Sequence, residues 1–298
     1  MAAGWEPSLW FHTTRDDPGR QAAQDALDAS PDVVIVVGGD GTVRTVAQEI
    51  AESLPMVIVP TGTGNLLARN LQLPLNDLDQ AVSAAFTGTD RVIDAIAARL
   101  EQESGNIIEQ VFLAMAGIGV DAAMALHTNK PLKSLVGWLA YVPPIARSVL
   151  SNKSFTLQYR VNGTDQEPLP VHTMIIGNCG VLTGDVVLMP AAAVDDGLLD
   201  VVLLRPGPWV VGWTPIGIRL AANGAVHRRR RRLGKTPRGL PSSRSAVHTQ
   251  ATEFAATFDQ PQLIELDGDI VDHITRAQFT LLPRRLTLRV PIATGDQV

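Results

Sequence analysis

DVVIVVGGDGTVRTVAQEI occupies residues 32–50 and joins a short apolar run to a glycine-rich turn. Residues 32–37 predict a buried strand, and residues 42–53 predict a helix because their apolar positions recur at helical spacing. Residues 56–59 predict a second buried strand, which leads directly into a second glycine turn in PTGTGNLLARNLQLP. This alternation is typical of a parallel α/β sheet covered by helices on both faces.

The pattern changes along the chain, which predicts two domains. A helix over residues 75–86 and a strand over residues 92–100 are expected to close the first, nucleotide-binding α/β domain, residues 1–95. Beyond it, short strand-like runs alternate with Gly, Pro, Asp and Asn, as in SFTLQYRVNGTD and QLIELDGDIV. Residues 96–298 are therefore expected to form an antiparallel β-sandwich domain, whose last strand could return to the first domain.

Composition narrows the class of protein. The formal net charge is −5 and the isoelectric point is near 5.7, which argues against a general nucleic-acid binder. A single cysteine, Cys179, excludes an internal disulfide and fits a reducing compartment. No segment offers about 20 uninterrupted apolar residues, and the N-terminus does not resemble a secretory signal. We therefore expect a cytoplasmic protein.

The first glycine turn has the features of a phosphate-binding loop. Gly38, Gly39 and Gly41 allow the main chain to approach phosphate oxygens, and Thr42 can cap the following helix. Asp40 would repel bare phosphate, so its presence predicts an intervening Mg²⁺ ion or a polarised hydroxyl. The alternative is that Asp40 only caps a helix.

The second turn, residues 61–65, ends in Asn65, whose amide could hold a hydroxyl or a phosphate oxygen. Neither turn matches GxGxxG or GxxxxGK[ST], which disfavours a dehydrogenase and a P-loop enzyme.

Taken together, GGDGTV, PTGTGNLLARNLQLP, GIGVDAAM, MPAAAVDDGLLDVVLL and ELDGDIV resemble the diacylglycerol kinase catalytic-domain family. That family includes bacterial lipid kinases, sphingosine kinases and ceramide kinase. The resemblance covers about residues 13–291. It implies a nucleotide domain related to those of NAD kinase and phosphofructokinase, followed by a β-sandwich, with the active site in the cleft.

The resemblance also implies roles for individual residues. ATP phosphates would be cradled by Gly38, Gly39, Asp40, Gly41, Thr42, Val43 and Arg44, and the nucleotide would also contact Thr14 and Thr63. Asp267 and Asp269 correspond to the acidic pair of an Asp-Gly-Glu motif linked to deprotonation of the lipid hydroxyl. Asp269 replaces the glutamate, and its shorter side chain puts its reach to the hydroxyl in question.

A metal loop is implied by AVDDGLLD. By resemblance, Asp196 would supply a carboxylate to Mg²⁺, with the carbonyls of Ala193 and Leu198 beside it. An ordinary acidic turn before a strand is the alternative. Asp121 is expected either to serve as a carboxylate on the substrate side or to cap a helix.

Two departures from the family pattern stand out. Family members usually open with a strand, an Asn-Pro-x-x-Gly turn and a helix, and this sequence begins where that helix would end. If the numbering is complete, we expect their absence to expose a neighbouring strand edge and to weaken nucleotide binding. A misplaced start of the sequence is the simpler explanation. Thr45 stands where many members carry a glutamate that could help to organise a metal.

Contact with a membrane is predicted from one stretch of the chain. Trp209, Val210, Trp213 and Ile216 precede a run of five arginines: Arg228, Arg229, Arg230, Arg231 and Arg232. Tryptophans could enter the headgroup region while the arginines meet anionic lipid. The alternative is a buried helix followed by a solvated loop.

The sequence therefore predicts an ATP-dependent lipid kinase that acts on a diacylglycerol-like or long-chain-base lipid. We expect it to work at the inner face of the membrane, and a homodimer is possible. One rival is an NAD kinase, although no TPTGSTAY-like stretch is present. The other is a kinase-like regulatory protein without catalysis, which the absent first strand, Thr45 and Asp269 would favour.

Overall fold

The computed structural model describes residues 4–119, 154–183, 186–205 and 246–292. The helices are α1 (Arg20–Ala29), α2 (Asp40–Ile50), α3 (Leu66–Asn70) and α4 (Leu78–Thr87). The strands are β1 (Val34–Gly38), β2 (Met56–Pro60), β3 (Thr89–Gln102), β4 (Ile107–Phe112), β5 (Met115–Gly119), β6 (Phe155–Val161), β7 (Thr164–Asp165), β8 (Leu169–Val171), β9 (Thr173–Gly177), β10 (Leu199–Leu204), β11 (Ala246–Ala251), β12 (Glu253–Leu266) and β13 (Asp269–Val290). Within these parts of the chain, no helix combines the length and apolar character needed to cross a bilayer.

The first half is built on two parallel strands. β1 and β2 pair in register from Val34↔Met56 to Gly38↔Pro60. All five residues of β2 are buried, which explains its continuous apolar sequence. Helix α2 turns Val43, Val46, Ala47 and Ile50 toward the core, as the helical spacing predicts. Both glycine turns therefore follow the carboxyl ends of adjacent parallel strands.

The second half is antiparallel. β5, β9, β10 and β11 are neighbours in that order, and β12 pairs with β5 as well as with β6 and β13. Its core contains the fully buried rings of Phe112, Phe254 and Phe279. The predicted fold class, parallel α/β followed by an antiparallel β-sandwich, is thereby confirmed.

Strand β13 connects the two halves. It pairs along most of its length with β3, and near its end Leu288 lies beside Met56 of β2 in parallel orientation. β3 itself spans the predicted boundary at residues 95 and 96. The expected return of the last strand to the first half is thus visible, and the exact division into domains stays a prediction.

An irregularity in β13 is held by a buried carboxylate. The β13–β3 register shifts between Leu282 and Leu286, and Arg284 has a φ of 52°. Asp94 of β3, which is 2% exposed, accepts hydrogen bonds from the backbone N–H groups of Arg284 at 2.7 Å and of Gly197 at 2.8 Å. Asp94 therefore gives the Arg284 N–H an acceptor within the bulge, and it also ties the loop at Gly197 to β3.

We expect Asp94→Ala to destabilise the protein, because it leaves two partly buried N–H groups without their acceptor, each costing up to about 1–3 kcal/mol. Urea unfolding would measure the loss. The matched control is Asp90→Ala on the same strand, which removes only a largely exposed ion pair with Arg289 and should change stability by about 1 kcal/mol or less. Equal losses in the two variants would contradict the role given to Asp94.

Candidate active site

The two glycine turns are packed backbone against backbone. A Cβ added at Gly62 would lie 2.6 Å from the Cα of Gly39, and one added at Gly39 would lie 3.2 Å from the Cα of Gly62. The Thr61 N–H also donates to the Gly38 carbonyl at 3.0 Å. Glycine is therefore required at both positions by contact between the loops, and the turns form one continuous surface.

Asp40 spans both turns. It is the first residue of α2, yet its Oδ1 accepts a hydrogen bond from the N–H of Leu66, the first residue of α3, at 2.7 Å. A Cβ added at Gly64 would lie 2.7 Å from Asp40 Oδ2. A capping role is therefore real, but it serves α3 and not the helix that Asp40 begins.

The Asp40 carboxylate is held in an unfavourable electrostatic setting. Burial raises its pKa to about 6, and repulsion from Asp267 contributes to the rise. Hydrogen bonds from the backbone N–H groups of Leu66, Leu67 and Asn65 oppose it. Near neutral pH the group is still mostly ionised, so a negative charge is maintained here against its desolvation.

Asn65 and Arg69 support the second turn from within. Asn65 adopts a left-handed conformation with a φ of 48°, and its Nδ2 donates to the Gly62 carbonyl at 2.6 Å. Arg69 Nε donates to the Gly64 carbonyl at 2.7 Å. The Nδ2 of Asn65 thus donates inside the turn, and the predicted contact of this amide with a hydroxyl or phosphate oxygen stays a prediction. The sequence reasoning missed Arg69, although its place one helical turn after Asn65 was a usable signal.

The acidic pair lies at the tip of a tight hairpin. Asp267 and Gly268, with φ values of 49° and 88°, form the two-residue turn between β12 and β13, where Leu266 pairs with Asp269. Two successive positive φ values are typical of the tight turns that favour Asp-Gly. The strand is therefore broken at the glycine, as convergence of two carboxylates requires.

Asp267 is buried and fixes the hairpin through backbone hydrogen bonds. It is 5% exposed, and its carboxylate accepts three backbone N–H groups at 2.9–3.0 Å, those of Leu113, Ala114 and Met115. Burial raises its pKa, and these donors and the charge of Arg44 oppose the rise. Asp267 therefore acts as a structural acceptor that caps three backbone N–H groups.

Asp269 is placed differently. Its side chain is 56% exposed, and its Oδ2 accepts from Arg44 Nη2 at 2.9 Å. A Cβ added at Gly41 would lie 2.6 Å from the same oxygen. The shorter side chain therefore does reach the first turn of α2. Arg44 Nη1 also donates to Gln110 Oε1 at 2.6 Å, which fixes the guanidinium beside the carboxylate.

The remaining residues of the first turn surround the start of α2. Thr42 folds back over Gly38, where an added Cβ would lie 2.7 Å from the threonine Cβ. Val43 is buried in the core beneath the turn. Thr45 Oγ1 donates to the Gly41 carbonyl at 2.9 Å, so this departure from the family pattern is accommodated within the helix.

Thr14 lies in the turn that begins α1. Its Oγ1 accepts from the Asp17 N–H at 3.0 Å. Gly19, which follows this turn, packs on α2, since an added Cβ would lie 2.8 Å from Val46 Cγ2. The turn that carries Thr14 is thus brought beside α2. Thr63 is exposed at the tip of the second glycine turn.

The predicted metal loop forms an acidic turn. Asp196 Oδ1 accepts from the Leu198 N–H at 3.1 Å, which leaves Oδ2 outside this turn. Burial raises the pKa of Asp196, and the charges of Asp200 and Asp94 add to the rise. A hard cation bound with the carbonyls of Ala193 and Leu198 would relieve that repulsion, so the residues fit Mg²⁺. The described residues hold no cluster of three or more His, Cys, Asp or Glu side chains that could form a metal site by themselves.

Several sequence predictions fall on residues that the structure does not describe. These are Asp121, the tryptophan-bearing stretch at residues 209–216 and the arginine run at residues 228–232. The predicted membrane contact therefore stays a prediction.

Comparison with known proteins follows the same division of the chain. The family model described as diacylglycerol kinase catalytic domain matches residues 6–98, and the one described as YegS C-terminal NAD kinase beta sandwich-like domain matches residues 114–209. The chain is 32% identical to a probable lipid kinase YegS-like from Pseudomonas fluorescens, with 71% of this chain and 67% of the relative aligned. A Pseudomonas aeruginosa protein of the same name is also 32% identical, over 67% of this chain and 63% of its own length, so the match leaves over a third of that relative uncovered.

Solved structures agree in fold. A diacylglycerol kinase from Bacillus anthracis superposes with a TM-score of 0.62 at 19% identity, covering 94% of this chain and 83% of that one. The packed glycine turns, the Asp-Gly hairpin beside them and the two matched family models lead to one assignment: the chain belongs to the diacylglycerol kinase catalytic-domain family.

Proposed function

We propose that this protein is an ATP-dependent lipid kinase that transfers the γ-phosphoryl group to the hydroxyl of a diacylglycerol-like or long-chain-base lipid. The observation that carries the proposal is the convergence of Asp40, the two glycine turns and Asp269 at one edge of the sheet. Membership in the family and the lipid-kinase names of its relatives support it.

The nucleotide phosphates would lie on the two turns. The first N–H groups of α2, including those of Gly41 and Thr42, have no acceptor within the helix, and the helix dipole adds positive potential there. Glycines at both turns let the backbone approach the phosphates closely. These features bind and orient an anionic group without requiring a lysine.

Asp40 would hold a Mg²⁺ ion at this phosphate site, and the ion would offset the negative charge of the phosphates. The raised pKa of Asp40 and its repulsion from Asp267 indicate a negative potential that a cation would relieve, so the residues fit the ion. When bound, Mg²⁺ would supply charge neutralisation for the transferred phosphoryl group. Asp40, fixed by the Leu66 N–H, is the residue that would hold it.

The acceptor hydroxyl would be activated by Asp269. This carboxylate is exposed and lies beside Gly41, whereas Asp267 has its oxygens engaged by backbone donors. Asp269 would accept the hydroxyl proton, and Arg44 would orient the carboxylate. Asp267 would position the hairpin that carries Asp269. The sequence predicted that both acids take part in deprotonation. In this proposal only Asp269 does so, and Asp267 has a positioning role.

The proposal can be tested with radiolabelled ATP and a panel of diacylglycerol, ceramide, sphingosine, phosphatidylinositol and NAD. We expect label in a diacylglycerol or a long-chain base, with no label when Mg²⁺ is removed by a chelator. Label in NAD alone would support the rival function, and label in none of the acceptors, while ATP still binds, would support the regulatory one.

For Asp40, we expect Asp40→Asn to lower turnover by at least about 100-fold, because it removes preorganised charge while keeping an oxygen to accept from Leu66 N–H. The pKa of Asp40 is raised in the folded protein, so its ionisation opposes folding. This cost is absent below the ordinary value of 3.8 and fully present above about 6. The variant should therefore be more stable than the parent at pH 8, and the advantage should shrink as the pH falls through 6.

Thermal melts from pH 5 to pH 8, with turnover measured alongside, would check both effects. The control is Asp79→Asn, which changes an exposed acid in the first turn of α4. Asp40 has no role in phosphoryl transfer if its variant keeps more than about a tenth of parental turnover.

Substitutions of the two hairpin acids should have different effects, because Asp269 would act as the base and Asp267 would position it. We expect Asp269→Asn to reduce turnover strongly with little change in melting temperature. Asp267→Asn should lose stability, since its amide NH₂ would face one of the backbone donors that the carboxylate now satisfies. Asp272→Asn serves as the control, because Asp272 is a partly exposed acid on the same strand and makes no contact with Asp267 or Asp269 in its hydrogen bonds to Gln102 and His273. A normal turnover for folded Asp269→Asn would refute its assignment as base.

A further inference from the structure

Asn178 is a buried amide whose side chain has no partner. It follows β9 directly and is 1% exposed. Its backbone N–H donates to the Ala114 carbonyl at 3.0 Å, but neither Oδ1 nor Nδ2 of its side chain makes a hydrogen bond. A buried amide normally satisfies both groups, so an unmatched one calls for a physical reason.

The chemistry of the amide narrows what could satisfy it. Oδ1 only accepts hydrogen bonds and Nδ2 only donates them. A carboxylate or a phosphate would match Nδ2 and leave Oδ1 unpaired. A hydroxyl both donates and accepts, as does water, so one such group can satisfy both atoms of Asn178.

The position of Asn178 links it to the candidate active site. Ala114, which accepts from the Asn178 N–H, donates its own N–H to Asp267 Oδ1 at 2.9 Å. The next residue, Cys179, is fully buried, and burial raises the pKa of its thiol, with the charges of Asp267 and Asp40 adding to the rise. This segment therefore lies within the electrostatic reach of both carboxylates.

A second amide, Asn70, contacts the same segment of the chain and has hydrogen-bond partners for both of its side-chain groups. Asn70 of α3 donates from Nδ2 to the Val181 carbonyl at 2.8 Å and accepts the Val181 N–H on Oδ1 at 3.0 Å. It ties Val181 to α3, the helix that follows the second glycine turn. Asn70 is fully partnered and Asn178, three residues before Val181, is not.

We propose that Asn178 binds the acceptor hydroxyl of the lipid before transfer, with Nδ2 donating to its oxygen and Oδ1 accepting its hydrogen until Asp269 takes the proton. This inference rests on the proposed function and specifies its acceptor site. The amide would orient the hydroxyl and would reject lipids that lack one, because they would leave a buried amide unsatisfied.

Binding measurements with two probes test the inference without relying on turnover. The probes are dioctanoylglycerol and the matching diester of propane-1,2-diol, in which hydrogen replaces the free hydroxyl. The parent should bind dioctanoylglycerol roughly tenfold or more tightly than the deoxy probe. Asn178→Leu, which has a similar volume, should bind both probes equally.

Stability separates this role from a structural one. Asn178→Leu should melt at the same temperature as the parent or higher, because it removes an unpartnered polar group. Asn70→Leu, the control, should melt lower and yet keep the preference for the hydroxyl in the folded protein. A parent without the preference, or an Asn178→Leu variant that keeps it, would overturn the assignment.

Two further results would distinguish a bound water from a lipid hydroxyl, and the hydroxyl site from the kinase function. A loss of melting temperature in Asn178→Leu with the preference intact would mean that Asn178 holds only a buried water, and would also overturn the assignment. If the preference depends on Asn178 but no label passes from ATP to dioctanoylglycerol, the proposed kinase function fails while the hydroxyl site stands.

Discussion

The contact between Gly39 and Gly62 is the constraint on which the site depends. Two loops from successive strands can approach this closely only when neither carries a side chain. Their approach allows one carboxylate, Asp40, to begin α2 and cap α3 at the same time. The strands bring the loops to one edge, and the missing side chains let them merge into a single surface.

Two carboxylates at that surface lower the stability of the folded protein. Asp40 and Asp267 repel one another in partly or fully buried positions, and burial raises the pKa of both. Backbone donors compensate in each case, through the start of α3 for Asp40 and through residues 113–115 for Asp267. Such compensated repulsion is typical of sites where function, and not folding, selects the residue.

Much of the fold was predictable from local patterns. The apolar runs and helical spacing of residues 32–59 gave the parallel strands and α2 to within a few residues, because burial on both faces leaves a clear signature. Asp40 could also be identified, because an acid in a phosphate-binding turn calls for a cation beside it. The Asp-Gly pair predicted a tight turn.

The unequal roles of the two hairpin acids could not be read from the sequence. Asp267 and Asp269 differ in whether backbone donors from residues 113–115, over 150 positions away, reach them. The use of Asn65 inside its own turn and the unmatched Asn178 are likewise products of tertiary packing. The residues next to these positions in the sequence do not indicate such distant partners.

Strand β13 has a consequence for biosynthesis. Its final residues complete the sheet of the first half, where Leu288 lies beside Met56 and residues 286–290 pair with the start of β3. Contacts across so great a sequence separation form late in folding. As the chain leaves the ribosome, the first half must therefore wait for residue 290 before its sheet can close. The two halves would mature together, and shortening the chain from its carboxyl end would impair the part encoded first.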